Sequence, residues 1–406
     1  MGFAKRMLME EESRLYRASD ETICVECFDD TGLRAFVCEH AVSKDCSVCH
    51  RSSDSPIAAS ANDVLEFFLS KIHEHYEDAN GTAPYDNESP NGFAVRTVRL
   101  YDLINHHFPE IAPYETLEWL QSRLKDDIEY CKRDWQVMTM GEALVSGWER
   151  FCFAVKHETR FLFFTEKHSD DSGEPYIVYP DQMLTELGDV VRGCGLVKTI
   201  APGTKIYRVR GHMEGHPLTS PAEMGPPPIE FAKTAGRMNA PGIVVLYASL
   251  QPNAALVEAT GGHVHVTLAH FVTTLDLLVV DLTEIPPVPS IFEGGPREAL
   301  EFLRHFVDDI SKPFTPDKEV HIEYTPTQVV SEFLRRRFMS SDGRLVNGIL
   351  YRSAKDVGST NLALFLSSED VEGTPRDLWQ TRKPCLRLER TDELTIAATE
   401  AKLSKV

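Results

Sequence analysis

Residues 236 to 259 read GRMNAPGIVVLYASLQPNAALVEA. The apolar run GIVVLYASL, rich in β-branched residues, predicts a strand, and the Ala-rich NAALVEA beyond a Gln-Pro break predicts the start of a helix. Tyr247 follows Arg237 by 10 positions (247 − 237), and Glu258 follows Tyr247 by 11 (258 − 247). With the elements so placed, Tyr247 lies near the end of the strand and Glu258 in the helix after it, so both can face one cleft. Taken singly, each has an ordinary explanation: a loop arginine, a core tyrosine with its hydroxyl satisfied, a surface glutamate.

Outward from this stretch the chain keeps one texture. Short candidate strands, RFLFF, TKIYRVR, HVHVTLAHF, LDLLVVDL, NGILYRSA and LALFLS, are punctuated by Gly and Pro, and the clearest long helices are PREALEFLRHFVDDIS and PTQVVSEFLRRRF. Strict strand-helix-strand alternation is missing, so an α+β domain with a mainly antiparallel sheet follows. Residues 211 to 235 form a Pro-rich connection too long for an ordinary turn and read as a lid or partner-facing loop.

The N-terminal part differs. Five of the nine cysteines fall between positions 24 and 49. Cys24-x-x-Cys27 and Cys46-x-x-Cys49 are two pairs, each short enough to grip one ion, and four thiolates make the closed tetrahedral set that suits structural zinc. Cys38, His40 or His50 could replace one ligand. From about 60 to 150 the periodicity turns helical. SANDVLEFFLSKIHEHY offers Ser60 and Asp63 as a capping box and Val64, Phe68, Ile72 and Tyr76 as a stripe. AVRTVRLYDLINHHF and YETLEWLQSRLKDDIEYCKRDW read as two further helices of a small bundle. The organisation expected is a zinc knuckle over 1–55, a helical bundle over 56–155 and the β-rich domain over 156–406.

Acidic residues outnumber basic ones 62 to 42, for a formal charge of −20, which repels phosphate backbones and argues against general nucleic-acid binding. No stretch has the apolar length of a membrane span, and the first residues lack the apolar core of a secretory signal, so a cytoplasmic protein is expected. Gly2 does not complete a myristoylation motif, because Arg6 stands where Ser or Thr is needed. Neither glycine-rich phosphate loop is present, nor is H-E-x-x-H. His263 and His265 lack a third ligand for a metal, and their strand should bury Val264, Val266 and Leu268 instead. Arg99 and His106, seven positions apart, have the spacing of some HEPN-type ribonucleases. Surface residues are the default reading of that pair.

Four blocks in order, IYRVR at 206–210, GRMNAPGIVVLYAS with AALVEA at 236–259, YTPTQVVSEFLR at 324–335 and NGILYRSA at 347–354, resemble the RES domain, named for an arginine, a glutamate and a serine. Arg208, Arg237, Tyr247, Glu258 and Ser353 match its characteristic positions, and Met238 stands where compact members carry a bulky aromatic. The front part resembles the zinc-knuckle and HEPN-like module that accompanies some RES domains. The resemblance implies an ADP-ribosyltransferase-like fold and NAD+ as the substrate of a toxin or anti-phage suicide effector. For that substrate the residue types place Arg208 and Arg237 on the diphosphate, Tyr247 on nicotinamide, Glu258 at a ribose hydroxyl and the developing cation, and Ser353 on the ribose or the amide. An antitoxin or regulatory partner is implied as well, and a homo-oligomer is compatible with it. Arginine suits diphosphate because its planar fork binds phosphate bidentately. The acceptor, whether water, inorganic phosphate or a protein side chain, stays open, as does a ribonuclease whose RES-like domain senses NAD+.

Overall fold

The computed structural model describes residues 14–108, 110–125, 128–165, 177–259, 264–312, 320–353, 355, 356, 358–375 and 383–396. The chain divides into two compact units, Met1–Met138 with Val288–Arg297, and Thr139–Pro287 with Glu298–Val406. His263 and Ala354 lie outside the described residues.

In the first unit, β1 (Thr22–Cys24) pairs antiparallel with β2 (Ala58–Ser60), and α1 (Thr31–Glu39) packs beside them. The apolar stripe expected on SANDVLEFFLSKIHEHY buries Val64, Phe68 and Ile72 of α2 (Ala61–His75). Ser60 is its N-cap but makes no side-chain cap bond, so the capping box is absent; Ser60 is instead tied into β2 opposite Thr22. Phe292, from the distant segment of this unit, stacks on Phe68 with ring centroids 5.0 Å apart.

Two of the expected helices are shorter than their periodicity suggests. Thr97–Arg99 forms β4 ahead of α3 (Leu100–His107). The helix beginning at Tyr114 (α4, Tyr114–Arg123) stops before Ile128 and Cys131, and Glu129–Lys132 becomes β5. The reason is tertiary: β5 pairs antiparallel with β4 and with β3 (Tyr76–Asp78), and strand pairing outcompetes a helical preference that is weak at β-branched and cysteine positions. The bundle therefore carries a three-stranded sheet.

The second unit opens with α5 (Met140–Phe153), where Thr139 and Glu142 form a reciprocal capping box. RFLFF is no strand. The Thr159 hydroxyl accepts from Leu162 N at 3.2 Å, and a 3₁₀ turn follows at Phe163–Thr165. After α6 (Pro180–Gly193) come β6 (Val197–Ile200), β7 (Lys205–Gly211), β8 (Leu246–Ser249), α7 (Pro252–Ala259), β9 (His265–Thr273), β10 (Leu277–Asp281), α8 (Arg297–Ser311), α9 (Thr325–Arg336), β11 (Gly348–Arg352), β12 (Thr360–Leu364) and β13 (Leu386–Thr395). The sheet order is β13-β9-β7-β8-β12-β11-β10-β6, antiparallel throughout except for β10 with β11. The α+β expectation with a mainly antiparallel sheet therefore holds.

One face of this sheet buries Ile206, Leu246, Ala248, Ala269, Phe271, Leu350 and Leu362. On the other, α7 covers Val209, Val266 and Leu268 through Ala255 and Leu256. Val264, expected on the buried side, is exposed at the start of β9.

Candidate active site

The side of the sheet covered by α7 carries the polar groups. Glu258, in the last turn of α7, turns its carboxylate toward the ends of β11 and β12. Its Oε1 accepts from Ser353 Oγ at 2.8 Å and from Asn361 Nδ2 at 2.9 Å. Its Oε2 has Lys355 Nζ at 3.8 Å and accepts no hydrogen bond among the described residues; the side chain keeps 36% of its exposure. The Ser353 hydroxyl also accepts from the backbone N–H groups of Lys355 and Asp356, at 3.2 and 3.0 Å. Ser353, expected on the ribose or the amide, here holds the Glu258 carboxylate.

Tyr247 lies on β8 two residues before Ser249, hence on the same face, since Ser249 opposes Asn361. Its hydroxyl donates to Asn239 Oδ1 at 2.8 Å and accepts from Met238 N at 2.9 Å, and burial pushes the phenol up to about 12. The hydroxyl therefore locks the GRMN turn. Gly236 is obligatory there, because a Cβ would lie 2.5 Å from both Asn239 Oδ1 and the Tyr247 hydroxyl. Gln328 of α9 closes the turn from below, donating to the Gly236 and Asn239 carbonyls at 2.9 and 3.0 Å. Met238 fills its buried place with a sulfur that accepts from Ser331 Oγ at 3.3 Å.

Held by that turn, Arg237 directs its guanidinium to the carbonyls of Ile310 and Lys312 at the end of α8, the second at 3.1 Å, and lies 5.7 Å from the Tyr324 ring centre. Tyr351 belongs to the same neighbourhood. Burial, reinforced by the nearby Tyr247 and Glu258, pushes its phenol well above the ordinary value, with Arg237 pulling the other way. Beside Arg237 a cavity of about 200 Å³ is lined by Trp148, Lys156, Asp309, Lys312, Glu323 and Thr327. A larger one, about 360 Å³, lies along Met140, Val178 and Gln182 and holds none of these groups.

Arg208 does not join them. On β7 it pairs with Ala269, and Tyr207 pairs with Ser249, so strand alternation turns Arg208 to the face opposite Tyr247 and Glu258. There it sits between Ile206 and Arg210, on the side that packs Ala248, Ala269 and Met224. Burial, with the neighbouring Arg210 adding to it, pushes the Arg208 guanidinium down to about 9, so it stays protonated at neutral pH. Its Nη1 is buried without a hydrogen-bond partner among the described residues. The strand register therefore does not bring Arg208 together with the other groups: a one-residue offset along a strand reverses the face. The first half of the 211–235 connection packs on this reverse face, where Arg210 Nη1 bonds the Glu223 carbonyl and Leu218 N donates to Thr267 Oγ1 at 3.1 Å.

In the first unit, Cys24, Cys27, Cys46 and Cys49 place their sulfurs within 4.8 Å of one another. Three of the separations are 3.8, 3.5 and 3.6 Å. A thiolate tetrahedron with zinc–sulfur bonds of about 2.3 Å has edges of about 3.8 Å, so the cluster has the dimensions of a zinc site. Cys38 is exposed, and the His40 ring stacks on Phe36 and bonds the Phe36 carbonyl, which removes both as substitute ligands. Arg99 pairs with Glu129 at 3.1 Å, while His106 Nδ1 faces the Asp102 carbonyl at 3.0 Å; no contact joins the two. His265 has Glu214 at 3.8 Å and no metal-sized ligand cluster around it among the described residues.

A mainly antiparallel α+β domain with a clamped glutamate beside a tyrosine-locked arginine turn, together with a four-cysteine cluster near the N-terminus, defines the class of the molecule. Residues 205–382 match the family model of the RES domain, and residues 39–169 match that of HEPN/RES N-terminal domain 1. The chain thus contains a region similar to the RES domain and, ahead of it, one similar to HEPN/RES N-terminal domain 1. No curated protein and no solved structure matches it significantly. Asn361, Gln328, Tyr324 and Tyr351 escaped the sequence reading; a lone amide in the apolar run TNLALF was the one available signal for Asn361.

Proposed function

We propose that the RES domain consumes NAD+ by breaking the bond between nicotinamide and ribose, with the released ADP-ribosyl group passed to water or inorganic phosphate. The observation that carries this reading is the Glu258 carboxylate: one oxygen is held by Ser353 and Asn361, while the other faces Lys355 Nζ at 3.8 Å and accepts no hydrogen bond among the described residues, on the same face as Tyr247. In NAD+ the leaving pyridinium takes the bonding pair and departs neutral, so no strong acid is needed. What the site must add is negative charge near the sugar as it acquires oxocarbenium character, and a fixed carboxylate does that without reorganising.

In this reading Glu258 Oε2 meets a ribose hydroxyl and the developing cation, and the Tyr247 and Tyr351 rings offer a face to nicotinamide. Arg237 binds the diphosphate, for which its fork must leave the Ile310 and Lys312 carbonyls. Arg208, on the reverse face, does not touch the same sugar. The four cysteines hold a structural zinc. The physiological reading is a toxin or suicide effector of the cytoplasm, acting for growth arrest or against phage and restrained by a partner or by its own N-terminal module.

The test is incubation of the chain with NAD+, with and without phosphate, followed by mass analysis. Free ADP-ribose identifies a glycohydrolase, ADP-ribose 1-phosphate a phosphorylase, and modified protein a transferase. NAD+ left intact under both conditions overturns the reading. So does a folded Glu258→Gln protein that works at the wild-type rate. A ribonuclease reading has less support, because Arg99 and His106 are each engaged elsewhere.

A further inference from the structure

We infer that Asn361 is a positioning residue for this reaction, one that decides which oxygen of Glu258 meets the substrate; the inference rests on the NAD+ reading above. Asn361 stands in the middle of the sheet on β12, only 3% exposed, opposite Ser249 on one side and Tyr351 on the other. An amide at that depth is costly unless both of its ends are paired. Both are. Nδ2 donates to Glu258 Oε1 at 2.9 Å, and Oδ1 accepts from Ser249 Oγ at 3.1 Å. Chemistry fixes the orientation: a carboxylate only accepts, so the amide nitrogen must face it, and the oxygen then falls to the serine hydroxyl. Ser249 has one hydroxyl proton, which it shares between Asn361 Oδ1 and the Thr360 carbonyl at 2.7 Å, and this ties the network to the backbone beside Asn361.

Ser353 alone would leave the carboxylate free to turn about its last bond. The second donor comes from a different strand, so the two together fix the carboxylate plane. Both converge on Oε1, and that oxygen is occupied while Oε2 keeps its lone pairs for the sugar. An amide that merely filled core volume would need no such convergence. The consequence is a division of labour within one side chain: one oxygen is structural and the other reacts.

The experiment is steady-state NAD+ consumption by Asn361→Ala, alone and combined with Glu258→Gln. Misplacing the carboxylate should lower kcat by about 10–100-fold, as sub-ångström errors at reacting groups do. KM for NAD+ should stay within about threefold, because the binding groups are untouched. In the Glu258→Gln background, which has no carboxylate to orient, Asn361→Ala should add little further loss. The isosteric Asn361→Asp should lose at least as much as Asn361→Ala, since it sets two carboxylates against each other. A kcat within about twofold of wild type for Asn361→Ala, or a fully additive loss in the double variant, overturns the inference. Should Asn361→Ala fail to fold, Ser249→Ala removes only the group that orients the amide and should lower kcat by a smaller factor, and an unchanged kcat there overturns it equally. A wild-type chain that leaves NAD+ intact overturns the NAD+ reading and this role with it, whereas an active wild type with an equally active Asn361→Ala removes the role of Asn361 alone.

Discussion

Ser353 Oγ donates to Glu258 Oε1 at 2.8 Å across 95 positions of sequence. The contact makes the serine a support for the glutamate. Ser353→Ala should therefore lower kcat for NAD+ by about 10–100-fold with little change in KM. Steady-state kinetics on the variant check this, and a rise in KM at constant kcat would assign Ser353 to substrate binding.

The Tyr247 hydroxyl holds the turn that presents Arg237. Tyr247→Phe leaves Met238 N and Asn239 Oδ1 without their partner and should cost about 1–3 kcal/mol in urea unfolding. The phenol also sets a pH window. Its pKa rises on folding from 10.0 to about 12, so the unfolded chain loses that proton first. The stability it contributes is complete below pH 10 and is lost as pH rises through about 12. Tyr247→Phe should flatten that alkaline loss, measured as the difference between the two unfolding profiles.

Gly236→Ala tests the same turn from its backbone. The added Cβ would lie 2.5 Å from two polar atoms that are themselves bonded to each other, so neither can yield cheaply. A loss of about 2 kcal/mol or more is expected in denaturant titration, together with loss of NAD+ consumption.

Arg208 buries a charge whose Nη1 has no partner among the described residues. Replacing such a charge by an apolar side chain of similar length removes a desolvation cost, and Arg208→Met should raise stability at pH 7 by about 1 kcal/mol or more. The unfolding midpoint checks it. Since Arg208 faces away from Glu258, its replacement should reduce NAD+ turnover less than Glu258→Gln does.

For the four-cysteine cluster, metal analysis should return one zinc per chain, and Cys27→Ser should abolish it. Removal of zinc by a strong chelator should lower the thermal midpoint, because a closed thiolate site contributes its binding free energy directly to folding.

The sequence by itself determined those features that depend on local spacing. Two Cys-x-x-Cys pairs are each short enough to grip an ion, and the short apolar runs of TKIYRVR, LDLLVVDL and LALFLS between Gly and Pro suffice to mark strands, as does the period of PTQVVSEFLRR for a helix. The ordered blocks around Arg237, Tyr247, Glu258 and Ser353 were legible only through their resemblance to the RES domain. Tertiary structure decided everything that depends on pairing. It ended the helix at Arg123 because β5 found β3 and β4 to pair with. It converted RFLFF into a turn, and it recruited Asn361, invisible as a lone amide in an apolar strand, to the carboxylate of Glu258. It also turned Arg208 to the reverse face, since residue type and spacing fix that a strand alternates, while only the register with its neighbours fixes which face each residue takes.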